Sequence, residues 1–288
     1  MTDGLVLFPK STLASGPTAF DWWRLEASRC GINLNVAFFE DLMLRYDAGH
    51  ASAYVDGMPL PGQAFAVVRG YNREISSHFE NCGVPVINCW ESMERSLDKI
   101  LTHQALTAAG LPTPFTVMPM APISYEDACD AIGAHEFIVK QNDGSRGVNV
   151  FLVRSKGEYD SALGILGAKA MLQRYVSSSC GRDLRVWTVG ERAVGCVLRH
   201  SDSSFLSNYS QGGSADPYAL SVEAADLAVK AARSLGLEFA GIDLLFTPGG
   251  GFTVCEVNGN AGFRTLSSLD RNSSILRNLF EYITDRYA

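Results

Sequence analysis

The sequence predicts an α/β protein that begins with a small parallel α/β domain and continues into two units of mixed strands and helices. Short apolar runs alternate with helix-like segments over about the first 90 residues, which is typical of parallel α/β units. Further apolar runs, separated by glycine, proline and polar loops, follow along the rest of the chain. We place the domains at residues 1–90, 91–170 and 171–288.

Composition indicates an ordinary globular protein. A chain of 288 residues with 47% hydrophobic and 19% charged residues can bury a substantial core. The net charge of -7 argues against bare nucleic acid as the main partner. No apolar run reaches the roughly 18 residues of a membrane span, and the basic segment of a signal peptide is missing. We therefore expect no nucleic-acid or membrane partner and a cytoplasmic location.

The cysteines support the same location. Seven are present, none forms a C-x-x-C pair, and most have apolar neighbours. This pattern predicts reduced thiols in the core rather than disulfides or metal ligands.

The first domain is predicted to hold four buried strands, one helix and one hairpin. The strands lie at residues 5–8, 34–39, 64–69 and 84–88, the helix at 21–27, and the hairpin at 54–60 around Asp56-Gly57.

The second and third units mix strands and helices. The second has helices at 93–109 and 125–132, strands at 115–118, 136–140 and 148–153, and a polar loop at 141–147. The third has strands at 171–176, 184–189 and 193–199, a polar loop at 200–217, a helix at 222–235, a hairpin, and a last helix with the apolar face Ile275, Leu276, Leu279, Phe280 and Ile283. A long loop in a compact protein is often functional.

The hairpin near the end of the chain carries acidic residues on both strands. Counting back from a pairing of Thr247 with Phe252 places Asp243 opposite Glu256, and Asn258 shares a face with Glu256.

Two carboxylates opposite each other destabilise a sheet unless a cation lies between them. Oxygen ligands without His or Cys are typical of Mg²⁺. The sequence therefore predicts a magnesium site at Asp243, Glu256 and Asn258. The alternative is that the acids face solvent and pair with nearby arginine or lysine.

Two lysines suggest phosphate binding. Lys140 ends an apolar strand and faces the glycine-bearing loop 143–147, whose backbone N–H groups can hold phosphate oxygens. The loop is neither a Walker A motif nor a G-x-G-x-x-G motif, and a plain turn is the alternative. Lys99, on a predicted helix, is either a second phosphate ligand or a solvated surface lysine.

Two arginines occupy strand positions. Arg185 and Arg199 project from apolar strands and need anionic partners. A structural ion pair with Asp183 is the alternative for Arg185. Asn208 and the pair Gly212-Gly213 lie in the long polar loop that follows.

Taken in order, these residues resemble the ATP-grasp superfamily, and most closely its RimK-like carboxylate–amine ligases. The resemblance spans residues 88–262. It rests on Asp98-Lys99, Leu111-Pro112-Thr113-Pro114, Val139-Lys140, Gly144-Ser145-Arg146-Gly147, Gln173-Arg174-Tyr175-Val176, Asp183-Leu184-Arg185, Arg199, Asn208, Gly212-Gly213, Ala240-Gly241-Ile242-Asp243 and Glu256-Val257-Asn258.

The resemblance implies an ATP-grasp fold, in which two α+β subdomains clamp ATP behind an N-terminal α/β domain. It implies that Mg²⁺ or Mn²⁺ is held by Asp243, Glu256 and Asn258. The nucleotide-binding residues that it implies are Lys99, Lys140, Gly144, Ser145, Arg146, Gly147, Gln173, Arg174, Tyr175, Val176 and Asp183. The groups that it implies for stabilising the transferred phosphoryl group are Arg185, Arg199 and Asn208.

Two positions depart from the family pattern. Arg174 stands where relatives usually have an acid near adenine and ribose. Gly259 stands where relatives usually have a proline after the Glu-x-Asn motif, in a segment that borders the acceptor site.

The resemblance also implies the reaction. ATP converts a carboxylate to an acyl phosphate, and an amine then displaces phosphate, giving an amide with release of ADP. Small-molecule or peptide carboxylates and amines are the expected substrates, with glutamate-type ligation and a homo-oligomer as further expectations. The alternatives are an ATP-binding module without activity, similar to synapsin, and an ATP-grasp phosphotransferase. His78, His103 and His200 are candidates for deprotonating the amine, with a surface or core role as the alternative for each.

Overall fold

The computed structural model describes residues 2–15, 18–144, 147–207, 213–269 and 274–287. Its first part is the predicted parallel unit. A sheet in the order β2-β1-β6-β7 is parallel throughout. Its elements are β1 (Thr2–Phe8), α1 (Thr18–Arg29), β2 (Ile32–Phe38), β6 (Phe65–Val68), α2 (Arg73–Asn81) and β7 (Val86–Ile87).

A small antiparallel sheet is inserted between β2 and β6. Its strands are β3 (Leu42–Asp47), β4 (His50–Val55) and β5 (Met58–Pro59). The predicted turn at Asp56-Gly57 is confirmed, since Val55 pairs with Met58. The β3–β4 hairpin is an addition to the predicted elements.

The predicted single helix at 93–109 is wrong. The structure has α3 (Trp90–Leu97) and α4 (Lys99–Ala108), separated by Asp98, whose backbone is extended at φ -91° and ψ 112°. The Asp98 carboxylate accepts hydrogen bonds from the N–H groups of Ile100 and Leu101, at 2.8 and 3.0 Å. Asp98 therefore caps a new helix instead of continuing the first.

The central unit is an antiparallel sheet in the order β10-β9-β11-β8, covered by two helices. Its elements are β8 (Thr116–Val117), α5 (Tyr125–Ile132), β9 (Phe137–Gln141), β10 (Val150–Val153), α6 (Lys156–Leu166) and β11 (Ala170–Arg174). Helix α6 is an addition to the predicted elements.

The last unit is a five-stranded antiparallel sheet in the order β14-β13-β12-β15-β16. Its elements are β12 (Arg182–Val189), β13 (Arg192–His200), β14 (Ser214–Pro217), α7 (Val222–Leu235), β15 (Phe239–Phe246), β16 (Phe252–Asn258), α8 (Arg264–Leu269) and α9 (Ile275–Tyr287). The predicted loop at 200–217 is corrected at its end, because Ser214–Pro217 pairs with β13 as an edge strand.

One hydrophobic core joins the first and last units. Trp23 on α1 packs edge-on against Phe280 on α9, with ring centroids 5.9 Å apart. Phe239 and Phe263 belong to the same cluster. The helix at the end of the chain therefore closes the N-terminal sheet, while the central unit has a separate core around Phe137. The domain boundaries stay a prediction.

All seven cysteines are free thiols, as predicted. Their placement is less uniform than expected, since Cys129 and Cys196 are buried whereas Cys82 and Cys180 are exposed. Among the described helices, none has the length and apolar character needed to cross a membrane.

Candidate active site

A cleft of about 880 Å³ lies between the central sheet and the last sheet. This volume includes space that is open to solvent. The cleft brings together predicted site residues from all along the chain, namely Lys99, Lys140, Gly144, Gly147, Gln173, Arg174, Tyr175, Val176, Asp183, Asp243 and Glu256. Ser145, Arg146 and Asn208 lie outside the described residues.

Sequence reasoning missed the apolar walls of the cleft. Ile138, Val150 and Leu245 line it alongside residues 173–176, and Phe205 packs edge-on against Tyr175 with centroids 6.4 Å apart. Apolar strand residues give no indication of whether they face a core or a cleft, so the sequence could not separate them.

Lys140 is buried in this cleft. Its side chain is 5% exposed, and Nζ donates to the Gln173 side-chain oxygen at 2.9 Å. Within the described part of the chain, no carboxylate lies within 4 Å of it. A buried ammonium group with only a neutral partner is suited to binding an anion.

Lys99 begins α4 and faces the same space. Its Nζ donates to the Gly144 carbonyl oxygen and lies 3.8 Å from Glu256 Oε1. Burial lowers the pKa of Lys99, and the nearby Lys140 charge lowers it further. The cleft thus holds a buried lysine, Lys140, and a partly buried one, Lys99, with the Glu256 carboxylate 3.8 Å from the second.

Asp98 and Asn142 connect these lysines to the loop at residues 141–147. Asn142 Nδ2 donates to the Asp98 carboxylate at 2.8 Å, and the Asn142 carbonyl accepts from the Lys99 N–H at 3.2 Å. The start of α4 and the loop therefore hold each other in place. Gly147 has φ +72°, a conformation that favours glycine.

His103 lies behind Lys140 in a buried hydrogen-bond network. The Gln173 side-chain amide contacts His103 Nε2 at 3.1 Å and donates to Thr116 Oγ1 at 2.9 Å. Burial, together with the charges of Lys140 and Lys99, lowers the pKa of His103 to about 4. A neutral, enclosed imidazole of this kind supports the core role over that of a base.

The other two histidines lie elsewhere. His78 Nδ1 contacts Tyr46 Oη at 3.0 Å in the first domain, and His200 lies 2.8 Å from the Asp216 carboxylate on the edge of the last sheet.

The two strand arginines form one cluster with two acids. Arg185 contacts both carboxylate oxygens of Asp243, with Nη2–Oδ2 at 2.8 Å. Arg199 binds Asp183 through Nε at 2.7 Å and Nη2 at 2.6 Å, and reaches Asp243 at 2.9 Å. The predicted alternative for Arg185 therefore named the wrong acid, because cross-strand pairing sets it opposite Asp243.

The predicted register of the hairpin is confirmed at its central pair. Asp243 lies opposite Glu256. The assumed starting pair was wrong, since Phe246 and not Thr247 pairs with Phe252. Cys255 is an extra residue in β16, and this bulge restores the expected pair. Burial raises the pKa of the Cys255 thiol to about 11, so it stays neutral.

The expectation that the paired hairpin acids, Asp243 and Glu256, need a metal cation between them is corrected. Burial opposes ionisation of Asp243, but the charges of Arg185 and Arg199 hold its pKa below the usual range. The arginines supply the counter-charge that was assigned to a metal ion.

The three predicted metal ligands still suit Mg²⁺ by their chemistry. Asp243 and Glu256 offer carboxylate oxygens at paired positions. Asn258 Nδ2 donates to the Gly241 carbonyl at 3.4 Å, which leaves its amide oxygen available. Among the described residues, no group of three His, Cys, Asp or Glu side chains forms a metal site. Mg²⁺ commonly takes one or two carboxylates and completes its shell with water and phosphate oxygens.

Comparison with known proteins decides the family. The model of the RimK-like ATP-grasp domain matches residues 96–283. The chain belongs to this family. A probable alpha-L-glutamate ligase 2 from Shewanella frigidimarina is 32% identical over 238 residues, which cover 81% of this chain and 78% of that one. A probable alpha-L-glutamate ligase from Legionella pneumophila is 28% identical and covers 94% of this chain and 93% of its own.

Solved ATP-grasp structures share the fold. The ligase PsnB, complexed with minimal precursor, Mg and ADP, has a TM-score of 0.74 at 19% identity, covering 99% of this chain and 97% of its own. D-alanyl-alanine synthetase A from Vibrio cholerae has a TM-score of 0.72 at 16% identity, covering 99% and 98%. This RimK-like protein is an ATP-grasp carboxylate–amine ligase that uses ATP with Mg²⁺.

Proposed function

We propose that the ligase activates a carboxylate as an acyl phosphate, which an amine then attacks to form an amide or peptide bond. A carboxylate alone is a poor electrophile, because its leaving group would be an oxide. Transfer of the γ-phosphoryl group replaces that oxide with phosphate, and ADP is released. The enzyme needs to position the reactants and neutralise charge, so no protein nucleophile takes part.

The two lysines of the cleft carry this proposal. Among the described carboxylates, Glu256 alone lies within 4 Å of either ammonium group, at 3.8 Å from Lys99 Nζ, and Lys140 Nζ donates to the neutral Gln173 side chain. Two ammonium groups in one cleft suit the phosphates of ATP. We assign Lys99 and Lys140 to binding ATP phosphates, together with the loop residues Gly144, Ser145, Arg146 and Gly147.

Residues 173–176 and the apolar walls support an adenine site in the same cleft. The Arg174 guanidinium donates to the Ile132 carbonyl at 2.6 Å and lies 5.3 Å from the Phe115 ring centroid. The Arg174 guanidinium therefore makes these contacts within the central unit. We infer that adenine is contacted by backbone groups of residues 173–176.

Arg185 and Arg199 are assigned to the transferred phosphoryl group, with Asn208. Both guanidiniums keep unused N–H donors beside the acids that hold them. Asp183 holds Arg199 through two hydrogen bonds, at 2.7 and 2.6 Å. Each arginine is held by a carboxylate, so it needs little reorganisation when charge develops on the γ-phosphoryl oxygens.

Asp243, Glu256 and Asn258 would hold Mg²⁺, or Mn²⁺ in its place. When bound, the ion would neutralise part of the negative charge on the phosphates.

The relatives' names point to glutamate as one substrate, and we propose glutamate-type ligation for this chain. The partner substrate is a small molecule or a peptide. The free thiols support a cytoplasmic location, and we propose a homo-oligomer on the family pattern.

The test is product analysis. ADP and phosphate should form only when both a carboxylate and an amine are present. Changing Glu256 to Ala should lower the rate by about 100-fold or more, because a charge-stabilising group is lost. Changing exposed Glu94 to Gln should leave the rate unchanged. Formation of AMP and pyrophosphate would contradict the acyl-phosphate scheme.

A further inference from the structure

Arg69 lies at the crevice of the N-terminal parallel sheet. It directly follows β6, and its backbone N–H donates to the Leu7 carbonyl of β1 at 2.8 Å. Strands β2 and β6 lie on opposite sides of β1, so the strand order reverses between β1 and β6. In open α/β sheets, ligands bind at such a reversal, outside the carboxyl ends of the strands.

The Arg69 guanidinium is surrounded by groups that stabilise a cation, namely a backbone carbonyl and three aromatic rings. Its Nη2 donates to the Ala261 carbonyl at 2.8 Å. The guanidinium carbon lies 5.7, 5.5 and 5.4 Å from the ring centroids of Trp23, Phe239 and Phe263. Throughout the described ranges, no carboxylate lies within 4 Å of it.

Arg69 differs in this respect from the other enclosed arginines. Arg185 and Arg199, whose side chains are 13% and 10% exposed, each meet a carboxylate. Desolvation lowers the pKa of Arg69 to about 10, so the group is still charged at neutral pH. A guanidinium has five N–H donors in a planar fork that matches a carboxylate. Ring contacts only partly replace such an anion.

The position of Arg69 relates it to the active site. A Cβ atom added at Gly241 would lie 2.6 Å from Ala261 Cβ and 3.2 Å from Arg185 Nη1. Ala261 therefore lies near the Arg185 side chain, and its carbonyl also accepts from Arg69. Asn260, the preceding residue, has a buried Oδ1 with no hydrogen-bond donor among the described residues. The Arg69 guanidinium suits a carboxylate, and the Asn260 acceptor, one residue from the carbonyl that Arg69 binds, suits an ammonium group.

We propose that Arg69 binds a carboxylate of the organic substrate, in a subsite of the N-terminal domain separate from the nucleotide cleft. The ligand class is an acidic amino acid or the acidic end of a peptide. This proposal rests on the proposed ligase function. It deepens that function by assigning recognition of a substrate carboxylate to Arg69, which is held by the segment after β16 through the Ala261 carbonyl.

The test is a calorimetric titration of the full chain loaded with Mg²⁺ and a non-hydrolysable ATP analogue. The probes are L-glutamate and glutarate, and the variant is Arg69→Gln. We expect the variant to bind both probes about 10- to 100-fold more weakly, as expected when a charged hydrogen-bond partner is lost. Its affinity for the ATP analogue should stay that of the wild type.

The matched control is Arg45→Gln. Arg45 also contacts an aromatic ring, that of Tyr54 at 5.0 Å, but it is exposed and lies on the small antiparallel sheet. This variant should bind both probes as the wild type does. If Arg69→Gln does not fold, Arg69→Lys decides, because it keeps the charge but loses the fork. If Arg69→Lys binds the probes about tenfold more weakly and keeps its affinity for the ATP analogue, the proposal is supported. Unchanged affinity for the probes overturns it.

Equal affinity of wild type and Arg69→Gln for the probes, including no binding by either, overturns the proposal. An equal loss of ATP-analogue affinity also overturns it, because Arg69 would then only support the fold. Titrating the α-amide and the γ-amide of glutamate identifies which carboxylate is bound. The titration measures binding and does not need turnover. If binding of the probes depends on Arg69 but the reaction releases AMP, the acyl-phosphate scheme is refuted and the Arg69 proposal stands.

Discussion

Lys99 is assigned to the ATP phosphates, and its pKa is lowered, so its positive charge depends on pH. Burial and the neighbouring Lys140 lower its pKa, so it loses its proton below the ordinary lysine pKa of about 10.4. We predict that the KM for ATP rises as pH is raised from neutrality toward that value. Changing Lys99 to Arg should flatten the rise, because a guanidinium stays protonated. Steady-state kinetics across this range measure the effect.

Lys230 is the control for that experiment. It is an exposed lysine on α7 and forms a 2.7 Å ion pair with Asp226. Changing Lys230 to Arg should leave the pH dependence of the KM as it is in the wild type. An unchanged rise in the Lys99→Arg enzyme would show that Lys99 does not bind ATP.

His103 should make the free energy of unfolding depend on pH. Its pKa of about 4 in the folded protein is below the value of about 6.5 for an unfolded histidine, so the unfolded chain binds the proton first. Stability is therefore lost as pH falls from about 6.5 toward about 4. Between pH 7 and pH 5, we expect the wild type to lose about 2 kcal/mol more unfolding free energy than His103→Gln. Urea denaturation measures this difference, and equal losses would contradict it.

At the scale of elements, the start of α4 determines the phosphate site. Asp98 caps the helix and accepts from Asn142 of the loop, so one side chain aligns both. Changing Asp98 to Ala should cost about 1–2 kcal/mol of unfolding free energy and raise the KM for ATP. Ser124→Ala removes a comparable cap from α5 and should lower stability without changing the KM. Similar KM values for the two variants would contradict the coupling.

The sequence predicted elements well where local chemistry decides them. The helix predicted at 222–235 has the same bounds in the structure, where the Ser221 side chain caps its start. The break at Asp98 was missed because an extended capping residue inside a helical pattern leaves the apolar spacing almost unchanged. The hairpin pair Asp243–Glu256 was correct because an error in the starting pair and the bulge at Cys255 cancel.

Partners distant in sequence could not be predicted. The acid opposite Arg185 depends on strand order, which places β15 beside β12. The contact of Arg69 with Ala261 joins residues 192 positions apart. Such contacts follow from packing of whole domains, and no spacing in the sequence encodes them.

At the scale of the molecule, the first and last units share a core and should lose stability together. Phe280 is fully buried between them, whereas Phe137 is fully buried in the central unit. Phe280→Ala should cost about 3–5 kcal/mol and lower the hydrogen-exchange protection of both β1 and β12. Phe137→Ala should mainly affect β9 and β11. Loss of protection in β12 alone after Phe280→Ala would show that the two units are independent.

The central claim is that a carboxylate oxygen leaves as part of the released phosphate. The direct measurement uses a substrate whose carboxylate carries ¹⁸O at both oxygen positions, followed by ³¹P NMR of the products. An acyl phosphate predicts one ¹⁸O atom in each phosphate released, formed together with ADP. Phosphate without the label, or label found in AMP, would contradict the mechanism.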